Sequence, residues 1–229
     1  CDYIFFMSSD DEYSLNVVSI TKKILRQHPN VKMISGNAET LDIKGLKRNH
    51  LIPCTISSRT LYPSDFLKTL SQRQFNFFGG ANVLEREAVL DTNTFSANLK
   101  WNCDWAIYML VALKYPVRTV DTFFTTYHPS SHSRYSAGMY HPLKQAMLNV
   151  SLINFFRREH PYCYDALKVS GTAPCPGLNV ILSAFMSSEM LKFISLKLVW
   201  RSAAFNTAQK ISSLFPSLMK NKIRLLIKL

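Results

Sequence analysis

Tyr3-Ile4-Phe5-Phe6-Met7-Ser8-Ser9-Asp10-Asp11, at the head of the chain, sets the reading of the fold. An unbroken apolar run that stops at four polar residues is the pattern of a buried central strand ending in a polar loop. A helix is expected next. Ser14 is placed to cap it, and Val17, Val18, Thr21, Ile24 and Leu25 recur at helical spacing until His28-Pro29-Asn30 closes it. Val31 to Ile34 reads as a short strand and 35–61 as mostly irregular. Pro63-Ser64-Asp65 starts a second helix through Phe66, Leu67 and Leu70, and Phe75-Asn76-Phe77-Phe78 reads as a strand running into Gly79-Gly80. Strand and helix in alternation predict an α/β sheet.

Further on, Trp105, Ile107, Tyr108, Leu110 and Val111 support a helix over 104–113, followed by strand-like Val117 to Val120 and Phe123 to Tyr127. The polar loop from His128 to Ser133 ends the α/β part. Pro142 suits the first turn of a helix carrying Leu143, Ala146, Met147, Val150 and Ile153, and the remainder reads helical apart from a turn at Ala173 to Gly177. The expected organisation is an α/β domain over 1–136 and a helical extension over 137–229.

At 229 residues, 47% hydrophobic and 18% charged, the chain can bury a sizeable core, which excludes a disordered polymer. The net charge is +12, and it is unevenly placed. No acidic residue follows Glu189, whereas Lys192, Lys197, Arg201, Lys210, Lys220, Lys222, Arg224 and Lys228 do. In the last segment Met219, Ile223, Leu226 and Ile227 share one helical face and Lys220, Arg224 and Lys228 another, a pattern that suits an anionic membrane surface or a packed helix with solvated lysines. Nucleic acid is not expected as a partner, because Phe193, Trp200, Phe205 and Phe215 lie among apolar residues rather than between exposed basic ones. Glu189, Lys192 and Lys197 interrupt the best apolar window, Leu178 to Trp200, so a transmembrane helix is not expected. Cys1, Cys54, Cys103, Cys163 and Cys175 are odd in number and irregularly spaced, which fits a reducing compartment and a cytoplasmic location.

Asp10 and Asp11 follow a buried strand, where open α/β sheets bind ligands. Carboxylates there could hold Mg²⁺ or Mn²⁺ against a diphosphate, or could simply cap the next helix. Gly79-Gly80 would admit a ligand close to backbone, or would make a plain turn. Asp104, beside Trp105 at a helix start, could be a carboxylate whose proton affinity is raised toward that of a useful base, or a helix cap. His128 and His132 lie in a Pro/Ser-rich loop, where solvated histidines are expected rather than metal ligands.

Taken in order, Ser8-Ser9-Asp10-Asp11, then Phe78-Gly79-Gly80-Ala81-Asn82-Val83-Leu84-Glu85-Arg86-Glu87-Ala88, then Leu99-Lys100-Trp101-Asn102-Cys103-Asp104-Trp105, then Tyr135-Ser136-Ala137-Gly138, resemble the family 2 glycosyltransferases of the GT-A fold. The resemblance covers about residues 1 to 140. It implies a GT-A-like mixed sheet flanked by helices, here the C-terminal part of such a domain with the upstream nucleotide-gripping strands missing. It also implies inverting transfer of a sugar from a nucleotide-diphosphate donor to a saccharide or lipid-linked acceptor, in cell-surface polysaccharide or glycolipid synthesis.

By the same resemblance Asp10 is the ligand of Mn²⁺ or Mg²⁺, Asp104 the catalytic base, and Gly79, Gly80, Asp11 and Trp105 the substrate-binding residues. Ser8 stands where many members carry an acidic residue, and Cys103 where an acidic residue often precedes the base. An enzyme of this kind would work at the inner face of the cell membrane. Two other classes stay open: a nucleotidyltransferase-like nucleotide-sugar enzyme, which needs no acceptor base at Asp104, and a non-catalytic module with a basic tail.

Overall fold

The computed structural model describes residues 1–7, 11–41, 48–51, 58–72, 75–128, 141–170, 183 and 186–193, with 48–51 and 191 described by their backbone alone. The chain divides into two compact units, Cys1–Ala137 and Gly138–Leu229.

The first unit is a mixed α/β sheet flanked by helices. Its strands are β1 (Tyr3–Phe5), β2 (Glu12–Tyr13), β3 (Met33–Leu41), β4 (Arg48–Leu51), β5 (Thr60–Leu61), β6 (Asn82–Glu85) and β7 (Val117–Tyr127). The helices are α1 (Val17–Gln27), α2 (Pro63–Ser71), α3 (Arg86–Leu90) and α4 (Cys103–Lys114). The hydrogen-bonded order is β1-β6-β3-β7-β2, with β4 on β3 and β5 on β7. Among the described residues only β3 and β7 pair in parallel. Because β6 is antiparallel to both β1 and β3, strands β1, β3 and β7 all point the same way. Their carboxyl ends therefore share one end of the sheet.

Alternation along the strands covers both faces. Ile34, Ala38, Val83 and Phe124 form one cluster with Val17 and Ile24 of α1. Met33 and Leu84, one residue out of phase, are just as buried. In α4 every residue from Ala106 to Ala112 is buried, so this helix runs through the interior rather than along the surface. Burying one such Leu, Ile or Phe side chain contributes about 1.5–3 kcal/mol.

Several expectations need correction. The run Tyr3 to Met7 gives a strand of only three residues, and it stands at the end of the hydrogen-bonded order, not at its centre, with half-buried side chains. Ser14 does not cap α1 through its side chain. Its carbonyl accepts from Val17 N–H at 3.1 Å, and Asn16 occupies the cap position. The largest difference lies in 35–61. Strand β3 continues to Leu41 through the polar run Ser35-Gly36-Asn37-Ala38-Glu39-Thr40, and β4 and β5 follow. The polar composition hides the strand because its groups pair inside the sheet: Asn37 Nδ2 donates to Asp121 Oδ1 at 2.8 Å, and Thr126 Oγ1 donates to Glu39 Oε1 at 2.8 Å. Gly36 belongs there because the Phe124 ring lies over it, and a Cβ would come within 2.4 Å of Phe124 Cγ.

Phe75–Phe78 makes no strand beyond a single bridge at Phe75. Its buried rings pack edge to face instead, Phe75 against Phe77 at 4.8 Å and Phe66 against Phe75 at 5.3 Å. The two short strands expected over 117–127 are one, β7.

In the second unit the described residues include α5 (Pro142–Glu159), α6 (Pro161–Ser170) and a short helical segment, Ser188–Leu191. Buried Leu148, Leu152, Ile153 and Phe156 of α5 and Cys163 and Leu167 of α6 make its core. A buried polar chain runs through it: Gln145 Nε2 donates to Asn149 Oδ1 at 2.9 Å, and Asn149 Nδ2 donates to Ser183 Oγ at 3.3 Å. Among the described residues no helix is long and apolar enough to cross a membrane. The turn at 173–177 and the basic segment after Phe193 lie outside the described residues, as do Asp10, His132, Cys54, Cys175 and the Tyr135-Ser136-Ala137-Gly138 motif.

Candidate functional site

At the end of the sheet where β1 and β7 finish, three stretches converge: Phe6 with the approach to β2, the Gly79–Ala81 turn, and the start of α4. The turn is a single 3₁₀ step that delivers the chain into β6. It sits close under its neighbours. A Cβ on Gly79 would lie 3.4 Å from Asp104 Oδ2 and 3.6 Å from the Tyr127 hydroxyl, and one on Gly80 would lie 3.2 Å from Thr125 Oγ1. A Cβ at Gly79 would thus stand in ordinary contact with the Asp104 carboxylate and the Tyr127 hydroxyl.

Asp104 is not the cap of α4. Asn102 holds that position, and Asp104 is the second residue of the first turn. Its Oδ1 accepts from Trp105 N–H at 2.7 Å, which satisfies one of the free amides at the helix start and places negative charge at the positive end of the helix dipole. Burial acts in the opposite direction and outweighs these contacts, so the carboxyl holds its proton more tightly than an ordinary aspartate. Lys100, four residues earlier, has φ 45° and ψ −126°, a region that glycine favours, and this bend turns the chain into α4.

Asp11 reaches the same region from the other side. Its Oδ1 accepts from His128 N–H at 3.3 Å, at the end of β7, and His128 Nε2 lies 3.3 Å from Glu12 Oε1. The Asp104 carboxylate and the Tyr127 hydroxyl both border the position a Gly79 Cβ would take. Tyr127 is driven upward in pKa by burial first, then by the charges of Asp11 and of Asp104, with Gly80 N–H opposing. Tyr13 is pushed up to about 12 by burial and then by Asp11. Tyr108 is raised well above the usual tyrosine range by burial, and Asp104 adds to it. All three phenols keep their protons at physiological pH and act as neutral O–H groups around two carboxylates.

The site thus brings the Gly79–Gly80 turn and Asp104 together beside the Tyr127 hydroxyl, while Asp11 is held at the end of β7 by the His128 amide. Trp105 is half-buried beside Asp104. Asp10 is outside the described residues. Among the described residues no three His, Cys, Asp or Glu side chains cluster as a metal would require. The tyrosines are what sequence reasoning missed. Tyr108 is counted there as one more apolar residue of a helix, although its position one turn after Asp104 puts both side chains on one face. Tyr127 is hidden as the last residue of a strand.

No protein-family model matches the chain, and no curated protein sequence matches it. Solved structures similar to it include Staphylococcus aureus TarS, residues 1–349, in complex with UDP, at 13% identity and a TM-score of 0.49, covering 99% of this chain and 61% of that one. The same protein in complex with UDP-GlcNAc is similar over 84% of this chain and 65% of that one, at 12% identity and a TM-score of 0.46. The chain therefore spans under two thirds of the length of these structures.

Proposed function

We propose that the chain carries the acceptor side of an inverting, nucleotide-sugar-dependent glycosyltransferase, with Asp104 as general base. The observation behind this reading is a desolvated carboxylate at a helix start whose Oδ2 lies next to the Gly79 backbone. A carboxylate with raised proton affinity is the better base for a sugar hydroxyl. In the proposed step Asp104 takes the proton of the acceptor hydroxyl while that oxygen forms a bond to the anomeric carbon of the donor. The bond from that carbon to the diphosphate breaks, its electron pair leaving with the nucleoside diphosphate. One displacement inverts the configuration. Gly79, Gly80 and Trp105 would line the sugar, and Asp11 would sit toward the diphosphate side.

A divalent cation, Mn²⁺ or Mg²⁺, belongs to the proposal through Asp10 with Asp11 next to it. Two aspartates adjacent in sequence would offer oxygen donors that suit a hard cation, with water and phosphate oxygens completing its shell. Such an ion would offset the charge on the departing diphosphate.

The test is a turnover assay of the full-length protein with a panel of nucleotide-diphosphate sugars, UDP-GlcNAc included, and Mn²⁺ or Mg²⁺. Nucleoside diphosphate release that depends on acceptor and on the Asp104 carboxylate is expected. Pyrophosphate release from a sugar phosphate and a nucleoside triphosphate would instead make it a nucleotidyltransferase.

The basic stretch after Glu189 is proposed to dock on anionic lipid at the cytoplasmic membrane face, each basic residue near the surface contributing about 1 kcal/mol. Liposome flotation should show recruitment to anionic vesicles over neutral ones, lost on truncation after Glu189. Equal recruitment by both vesicle types makes the tail a packing element.

A further inference from the structure

Beneath the Gly79–Gly80 turn lies a buried polar network that the catalytic proposal does not use. Tyr108 Oη donates to the Gly79 carbonyl at 2.8 Å. Asn82 Nδ2 donates to the Phe78 carbonyl at 2.6 Å and to that of Gly79 at 3.3 Å. Both side chains are buried, Tyr108 at 1% exposure and Asn82 at 0%. Their surroundings are aromatic: the Tyr108 ring centre is 5.6 Å from that of Phe77 and 6.1 Å from that of Phe6.

The bonds to the Phe78 and Gly79 carbonyls stabilise the fold like other buried hydrogen bonds. They also fix a backbone position. Tyr108 and Asp104 stand one turn apart on α4, so the helix that presents the carboxylate also grips the glycine facing it. The distance across the site is then set by one rigid element instead of by a loop.

We propose that Tyr108, assisted by Asn82, is a positioning residue that holds the Gly79–Gly80 turn at its working distance from the Asp104 carboxylate. The proposal rests on Asp104 being the base. Displacement of the turn by a fraction of an ångström would misplace the sugar against that base, and misplacement of about 1 Å can cost on the order of 100-fold in rate.

The experiment uses Tyr108→Phe in the full-length protein, which keeps the ring and removes only the donor. The expected result is a fall in kcat of about tenfold, with KM for the donor and the acidic limb of the pH profile unchanged. A fall of less than about threefold in kcat per folded molecule overturns the proposal, whatever the change in melting temperature. Hydrogen exchange on the unmodified protein gives a second readout that needs no variant. The Gly80 and Ala81 amides should be protected like the interior of α4, and exchange at the rate of an exposed loop would equally overturn it. Asp104→Asn, assayed alongside, separates the two ideas. If it abolishes turnover while Tyr108→Phe does not, the positioning role alone falls. If Asp104→Asn is fully active, the base assignment falls, and the tether is judged on the exchange data.

Discussion

The Gly79 carbonyl and the Asn149 side chain are both held by hydrogen bonds far from water, yet the two regions use them differently. In the helical unit Gln145, Asn149 and Ser183 bond largely to one another, and Ser183 Oγ also donates to the Ala146 carbonyl at 3.3 Å. These bonds tie residue 183 to a helix that is regular with or without them. In the sheet unit the donors are side chains but the acceptors are carbonyls of an irregular turn, and that turn faces a desolvated carboxylate. One network secures packing, and the other secures a distance. Buried polar groups of similar exposure can thus have separate purposes, which differ in what a substitution would change.

The strongest way to break this contrast is to remove the charge at its centre. Asp104→Asn preserves shape and an acceptor for Trp105 N–H while losing the ability to take a proton. Turnover should fall about 10²- to 10⁴-fold with donor affinity unchanged. Steady-state kinetics with isothermal titration of the donor would measure both. Near-normal turnover would reduce Asp104 to a first-turn helix residue and leave the site without a described base.

Asn149→Ala sharpens the comparison from the other side. It deletes a fully buried side chain with its two bonds and should cost about 1–3 kcal/mol, seen as a lower urea midpoint, while turnover per folded molecule stays within about twofold. A large kinetic effect at unchanged stability would mean that the helical unit takes part in the chemistry.

Much of the sheet unit could be read from residues alone, for identifiable reasons. Helices α1, α2 and α4 announce themselves through apolar spacing, and Pro63 marks the start of α2. Strand β3 does not, because Asn37 and Glu39 are buried polar residues whose partners come from a strand some eighty positions away. Periodicity records local preference and is silent about such long-range pairing. The end position of β1 was likewise illegible, since a continuous apolar run does not say how many neighbours a strand has. At the site, Asp104 and Gly79-Gly80 are legible as residues whose types suggest chemistry. Their approach is not, and neither are the tyrosines, whose hydroxyls matter only once Tyr108 is seen to hold the Gly79 carbonyl and Tyr127 to lie beside that glycine.

The smallest expected effect concerns the stability cost of holding Asp104 out of water. Its proton affinity in the folded protein is raised above that of the unfolded chain, with burial the leading cause. The folded state therefore binds this proton more tightly, and the associated stability is fully present below the ordinary carboxylate range. It is lost as pH climbs from that range through the raised value, because the unfolded chain ionises first. At neutral pH the wild-type protein carries this cost, and Asp104→Asn, which has nothing to ionise, does not. The melting temperature of the variant relative to wild type should therefore increase as pH rises from about 4 to 7, even though the absolute stabilities of both shift with other groups. Paired thermal melts across that interval would read the difference directly. A gap that shrinks or reverses over the same interval would mean that the helix dipole and the Trp105 amide stabilise the charge more than burial opposes it. Asp104 would then be a first-turn carboxylate whose charge the fold favours, with a lowered proton affinity, and the case for it as a tuned base would be lost even if the turn in front of it is held as described.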